Sequence, residues 1–480
     1  LTLLRSGVLL HPTSLPGKRE QGDLGQDARR FIDVLQAAAM TVWQMLPLGP
    51  THADRSPYQC LSVHAGNRML VCLDDLVEKG WLDASATDDL PFNACLRQAR
   101  SGFETLSSKQ DKAAYAGFRD LHACWLEDYS LYQAIRETQD AAPWYQWPAA
   151  LRDRKPAALG RFSDKQAELI EQICFEQYLF FLQWSALRDY AHQRGVYLFG
   201  DMPIYVAHDS ADVWANRELF TIDGSGALEV VAGVPPDYFS ATGQRWGNPL
   251  YRWDRVGEQG YSWWLERFRT QLALFDMLRL DHFRGFEKYW EIPATAETAV
   301  DGCWITGPGA ALFERLQQDF GELPLVAEDL GIITPEVDAL RLQFGFPGMK
   351  ILQFAFGGGD DNPYLPVNHE ALSVVYTGTH DNNTTLGWYK SLEDADREKV
   401  DEYMPADLPG MPWALIKTAL ESKSGLAIIP MQDLLELGSE ARMNTPGTSG
   451  GNWSWRFSWD QVPAKLDRRI RTLTEHAGRG

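Results

Sequence analysis

The feature that most constrains this chain is a recurrence. Eight short apolar, β-rich runs follow one another along 480 residues, with amphipathic stretches between them. The runs read "SGVLLHPTS" (6–14), "TVWQMLPLG" (41–49), "GVYLFGDMPIYV" (195–206), "DMLRLDHFR" (276–284), "LPLVAEDLG" (323–331), "GMKILQFAF" (348–356), "SVVYTGTHD" (373–381) and "LAIIPMQDLL" (426–435). Helical periodicity lies between them in "DARRFIDVLQAAA" (27–39), "GAALFERLQQDF" (309–320) and "PEVDALRLQF" (335–344). Strand alternating with helix predicts a parallel sheet covered by helices. Eight such units predict an α/β fold closed into a (β/α)8 barrel.

The spacing of the runs is uneven. From the second to the third is about 145 residues, whereas connections in such units are a few residues long. An insertion is therefore expected over 60–190. It reads as mostly helical, because "KQAELIEQICFEQYLFFLQWSALRDYAHQRG" (165–195) is one apolar-periodic run. A second insertion, 207–275, follows the third strand. It carries "GVPPDYFSATGQRWGNPLYRWD" (233–254), rich in Gly, Pro and aromatics, which reads as a loop wall over the barrel mouth. The chain is then a single barrel over 1–480 with these two insertions.

Composition narrows the partners. A formal charge of −20 argues against nucleic acid and against an anionic membrane, since both need a basic surface. No run approaches the 18 or so apolar residues of a membrane span. The opening "LTLLRSGVLLHPTSLPG" is interrupted by Gly, His and Pro, so no signal peptide is expected. The six cysteines (Cys60, Cys72, Cys95, Cys124, Cys174, Cys303) form no CxxC pair, which supports neither disulfides nor zinc and fits a cytoplasmic location. The 18 Trp cluster partly in loop-like segments, "PWYQWP" (143–148), "QRWGNPLYRWD" (244–254) and "GNWSWRF" (451–457), where rings can lie against the CH faces of sugars.

In barrels of this kind the chemistry sits at the C-terminal ends of the strands. Polar residues gather there: His11, Asp201, Arg279 and Asp281, Glu328 and Asp329, Gln353, His380 and Asp381. Arg279 and Asp281 are two apart in a strand and share a face. The cation is expected to hold Asp281 ionised, as a nucleophile or as half of a structural ion pair. Carboxylates on three strands suit acetal chemistry, which needs a protonated acid at the leaving oxygen and an anion beside the oxocarbenium-like carbon. Asp281 suits the anion. Glu328, flanked by Val326 and Ala327, suits the acid. Asp381, with His380 beside it, would position sugar hydroxyls. A rival scheme casts Asp281, Glu328 and Lys350 as a Mg²⁺ and enolate site, against which Arg279 would repel the metal. "GGGDD" (357–361) reads as a turn rather than a calcium site, since it shows no full set of oxygen ligands.

The motifs "GVLLHPTSLPG", "SPYQCLSVHAGN", "GDMPIYVAHDSADVWAN", "GVPPDYFSATGQRWGNPLYRW", "LRLDHFRGF", "AEDLGIITPEV", "TGTHDNNTTLGW" and "MNTPGTSGGNWSWR", in that order, resemble the amylomaltases, the 4-α-glucanotransferases of glycoside hydrolase family 77 in the α-amylase clan. The resemblance implies a (β/α)8 barrel with helical insertions and no C-terminal β-domain. It implies retaining transfer of an α-1,4-glucan segment, from maltooligosaccharides or amylose, to the 4-hydroxyl of another glucan or of glucose. No metal and no cofactor are implied. By motif, Asp281 falls on the nucleophile, Glu328 on the general acid/base and Asp381 on the third carboxylate. Arg279, Asp201 and His380 fall on ligand contacts where the sugar is cleaved. Tyr58, Trp246 and Asn452 fall on contacts elsewhere in the groove, and Tyr238 and Phe239 on a loop over the cleft. Cys60, Val63 and His64 depart from the expected Ser, Ala and Phe. Residue physics alone leaves open whether the reaction is transfer or an amylase-like hydrolysis; the resemblance favours transfer.

Overall fold

The computed structural model describes residues 4–236, 240–404, 410–448 and 450–480. Each of the eight runs contains a strand: β1 (Arg5–Leu9), β2 (Val42–Gln44), β3 (Tyr197–Pro203), β4 (Met277–Asp281), β5 (Leu325–Ala327), β6 (Gly348–Ile351), β7 (Ser373–Tyr376) and β8 (Leu426–Pro430). They pair in parallel in the order β6-β7-β8-β1-β2-β3-β4-β5. The Ala327 N–H donates to the Pro347 carbonyl at 2.9 Å and draws the two outermost strands, β5 and β6, together into a (β/α)8 barrel.

The strands are shorter than the apolar runs. The sixth run continues into a 3₁₀ turn at Leu352–Phe354, with Leu352 fully buried. Rim turns bury apolar side chains as strands do, so apolarity outlasts the ladder. The fifth strand ends at Ala327, which leaves Glu328 and Asp329 just beyond it on the rim.

Alternation along the strands sorts side chains into two cores. Leu9, Val42, Phe199, Val326, Met349, Ile351, Val374 and Ile428 fill the barrel. Val8, Trp43, Leu198, Leu278, Leu280, Val375 and Ala427 face the surrounding helices. Gly7 on β1 is required by this packing: a Cβ there would lie 2.3 Å from the Val42 carbonyl oxygen.

Between β2 and β3 lie seven α-helices, of which the longest are Lys109–Thr138 and Ala167–Gln193. They meet through aromatic contacts such as Phe118 with Phe181, at 5.4 Å between centroids. Ala167–Gln193 also serves the barrel. Trp184 donates to the Leu274 carbonyl, and Gln177 and Gln183 each exchange two hydrogen bonds with the backbone of Gly66 and Cys72.

A second, antiparallel sheet was not legible in the sequence. It joins Gln244–Arg245, Val230–Val234, Lys288–Pro293 and Cys303–Thr306. The stretch 233–254, expected as loop, thus contributes Gln244–Arg245 and the last two residues of Val230–Val234, which in turn pairs with a segment that follows β4. All six cysteines are free, and among the described residues no helix is long and apolar enough to cross a membrane.

Candidate active site

Parallel pairing sets Asp201 on β3 directly opposite Arg279 on β4, and Pro203 opposite Asp281. Arg279, only 5% exposed, bridges two carboxylates. Its Nη1 donates to both oxygens of Asp201 at 2.9 and 2.7 Å, and its Nη2 lies 2.8 Å from Asp281 Oδ1. The Tyr58 hydroxyl adds a 2.7 Å hydrogen bond to Asp201 Oδ2. The triad is thereby satisfied, which a buried charge requires. Burial opposes the charge on Arg279, and the carboxylates more than offset it. Asp281 Oδ1 is occupied by the guanidinium, and 28% of the Asp281 side chain stays open to the cleft.

Arg279 favours the charged form of Asp281, as the sequence suggested, but it is not the strongest influence. Burial raises the Asp281 carboxyl to about 6, and Arg279 offsets this only in part. Glu328 is pushed higher, to about 7, again mainly by burial and with Asp281 adding to the rise. Two backbone donors hold Glu328 in place: the His282 N–H on Oε2 at 2.7 Å and the Leu330 N–H on Oε1 at 3.0 Å. His282 presents that N–H from a left-handed backbone, φ 54°, an uncommon conformation for a residue with a side chain and one that collects at functional sites.

The third carboxylate follows β7. Asp381 Oδ2 lies 3.3 Å from His380 Nε2, and Asp381 Oδ1 accepts from Asn444 Nδ2 at 2.6 Å. Burial works against its charge, but His380 and the Asn444 amide outweigh it and hold the carboxyl well below the usual range. His380 stacks on Tyr58 with centroids 5.1 Å apart at 19°, and Trp453 is 5.9 Å from each. One continuous set of contacts therefore runs Asp281–Arg279–Asp201–Tyr58–His380–Asp381, with Glu328 in the electrostatic reach of both Asp281 and Arg279.

Trp246 lies edge-on to His282, 4.8 Å between centroids, on the side of the site that Glu328 occupies. Asn452 is not drawn into the ring. Its Oδ1 accepts from the Thr445 N–H and its Nδ2 donates to Thr448, so its amide holds its own turn. Tyr238 and Phe239 lie outside the described residues. Asp329 is a structural ion pair: it accepts from the Met349 N–H at 2.7 Å and meets Arg341 at 3.3 Å across the β5–β6 seam. Lys350 alternates with the inward Met349 and Ile351 and so faces out of the barrel, which removes it from the rival enolate scheme. In the "GGGDD" turn the Gly357 carbonyl accepts from the Asn362 amide and the Asp360 carbonyl from the Asn368 amide. Among the described residues no group of three or more His, Cys, Asp or Glu side chains is arranged to hold a metal ion. His64, one of the departures, is a satisfied core histidine: it contacts Thr270 Oγ1 at 3.0 Å, stacks on Trp125, and is held neutral by burial, which lowers it to about 3.

Sequence reasoning missed the left-handed His282 and the segment that holds Asp381, Arg442 to Asn444. The one signal available was "MNTPGTSGGNWSWR" itself, which places Asn444 after the eighth strand but says nothing of its partner.

The glycoside hydrolase 77 family, described as 4-alpha-glucanotransferase, matches residues 10–461. The chain belongs to that family. It is 47% identical to a 4-alpha-glucanotransferase of Thermus thermophilus over 98% of both chains, and 46% identical to one of Synechocystis over 99% of this chain and 98% of the other. Among solved structures, an amylomaltase from Streptococcus agalactiae, determined in complex with acarbose, superposes with a TM-score of 0.94 at 35% identity, covering 99% of this chain and all of the other.

Proposed function

We propose that this protein is a 4-α-glucanotransferase that moves α-1,4-glucan segments between maltooligosaccharide or amylose chains, with glucose among its acceptors, by double displacement at Asp281. The observation that carries the reading is the paired environment of Asp281 and Glu328: one carboxylate tied to a guanidinium, the other raised to about 7 by burial. The family match and the full-length relatives support transfer over hydrolysis.

In the first step Asp281 Oδ2, the oxygen not engaged by Arg279, attacks the anomeric carbon. The bond from that carbon to the leaving sugar's O4 breaks, and the Glu328 proton passes to O4. A covalent glucosyl-Asp281 remains, of inverted configuration. In the second step the acceptor's 4-hydroxyl gives its proton to Glu328 and attacks the same carbon, and Asp281 leaves as a carboxylate. Two inversions give retention. Asp381, kept anionic, accepts hydrogen bonds from hydroxyls of the distorted sugar, with His380 beside it. Tyr58, Trp246 and Asn452 belong to the surrounding glucan groove in this reading. Six free cysteines fit a cytoplasmic setting.

Incubation with maltotriose tests the reading. Transfer yields longer oligomers and glucose while total reducing ends stay flat. A steady rise in reducing ends would make the protein a hydrolase instead.

A further inference from the structure

The third carboxylate is not held by its own loop alone. Two residues of a segment after β8, Arg442 and Asn444, reach back to it across about 60 positions of sequence. Asn444 Nδ2 donates to Asp381 Oδ1 at 2.6 Å, and the Asn444 N–H donates to the His380 carbonyl at 3.1 Å. Arg442 donates from Nη2 to the Asp381 carbonyl at 2.5 Å and from Nε to the Asn444 carbonyl at 2.7 Å. The Met443 carbonyl accepts from the Trp453 N–H at 2.8 Å, and Trp453 stands against Tyr58 and His380. The segment therefore grips the His380–Asp381 pair by backbone and by side chain.

The side-chain contact differs in kind from the rest. Asp381 keeps 45% of its side chain open to the cleft. Yet Oδ1 is taken by an amide donor, and Oδ2 lies against His380 Nε2. A carboxylate fixed at both oxygens presents only its remaining lone pairs, in one plane and one direction. Bonds to sugar hydroxyls that strengthen as the ring distorts depend on that aim, because their value is realised in the transition state rather than in binding.

We infer that Asn444 is a positioning residue: its amide N–H orients Asp381 and through it tunes the glycosyl-transfer step. This rests on the role proposed above for Asp381.

Two substitutions separate this from a packing role. Asn444→Asp keeps the shape and replaces the donor with an acceptor facing a carboxylate. Asn444→Ala removes the donor and leaves space for water. If the amide matters for its shape, the isosteric change is the milder one. If it matters as a donor, the order reverses. We expect Asn444→Asp to lower kcat on maltotriose by about 10²- to 10³-fold with KM changed far less, and Asn444→Ala by about 10-fold, both with thermal midpoints close to the parent. In an Asp381→Ala background the two should become indistinguishable. Asn444→Asp within about threefold of the parent, or milder than Asn444→Ala, would overturn the inference. Asp381→Ala run alongside keeps the failures apart: an active Asp381→Ala defeats the role given to Asp381, whereas an inactive one beside an unaffected Asn444→Asp defeats only the inference.

Discussion

The Asp281 charge raises the Glu328 carboxyl, so the two ionisations are linked. The productive state carries one proton, on Glu328. Acid below about pH 6 adds the second and disables the nucleophile; base above about pH 7 removes the first and disables the acid. A narrow bell in kcat/KM is the expected profile, and a plateau extending past pH 9 would contradict it. Asp281→Asn and Glu328→Gln should each lose on the order of 10³-fold or more in rate. Stability should move the other way. Both folded values lie above the unfolded ones, so this contribution is full below about pH 4 and fades as pH rises through 6 and 7. At pH 8 each amide variant removes an ionised, poorly solvated group, and calorimetry should show its thermal midpoint rising rather than falling. The acids themselves were legible in the sequence because each ends an apolar run, where packing gives no reason for a charge. The balance at Asp281 was not. The guanidinium is visible in "LRLD", but the burial that outweighs it comes from strands and loops far away in the chain.

The same division holds for elements. The barrel strands announce themselves because each is a short apolar run bounded by helix. The antiparallel sheet hides, since Gln244–Arg245 is exposed and polar and Val230–Val234 pairs with Lys288–Pro293 some 60 residues on. Its place becomes sensible once built: it carries Trp246 to within 4.8 Å of His282, whose N–H fixes Glu328. Gly233 makes that ladder possible. A Cβ there would meet the Gln244 carbonyl oxygen at 2.2 Å and Ile292 Cδ1 at 2.5 Å, and a backbone oxygen held in a ladder has little room to yield. Gly233→Ala should therefore push Gln244–Arg245 off its partner and shift Trp246. The overpacking itself is worth about 1–3 kcal/mol of stability. Steady-state kinetics should show KM for maltooligosaccharides raised about tenfold and kcat within about threefold of the parent. An unchanged KM would remove Trp246 from the glucan path.

Across the whole molecule, the two ends of the barrel do different work. The C-terminal rim gathers charge at residues whose solvation is incomplete, which costs stability, and the opposite end supplies ties that involve no chemistry. Arg479 shows the second kind. It is 1% exposed and donates to the carbonyls of Leu420, Ser422, Ser424 and Arg5. These carbonyls belong to the start of β1 and to the segment leading into β8, neighbours in the barrel that are distant in sequence. One planar guanidinium with five N–H donors can satisfy such a set; lysine, with a single nitrogen on a flexible stem, cannot. Removing it leaves several buried carbonyls without partners, each worth about 1–3 kcal/mol. Arg479→Ala and Arg479→Lys should both lower the thermal midpoint, Ala by at least about 3 kcal/mol of stability, while kcat and KM at 25 °C stay within twofold of the parent. Equal thermal midpoints for parent and Arg479→Ala would show that water solvates those carbonyls as well as the guanidinium does. A loss of kcat in folded Arg479→Lys would show instead that the two ends of the barrel are mechanically coupled, and that the rim geometry depends on how tightly β8 and β1 are drawn together beneath it.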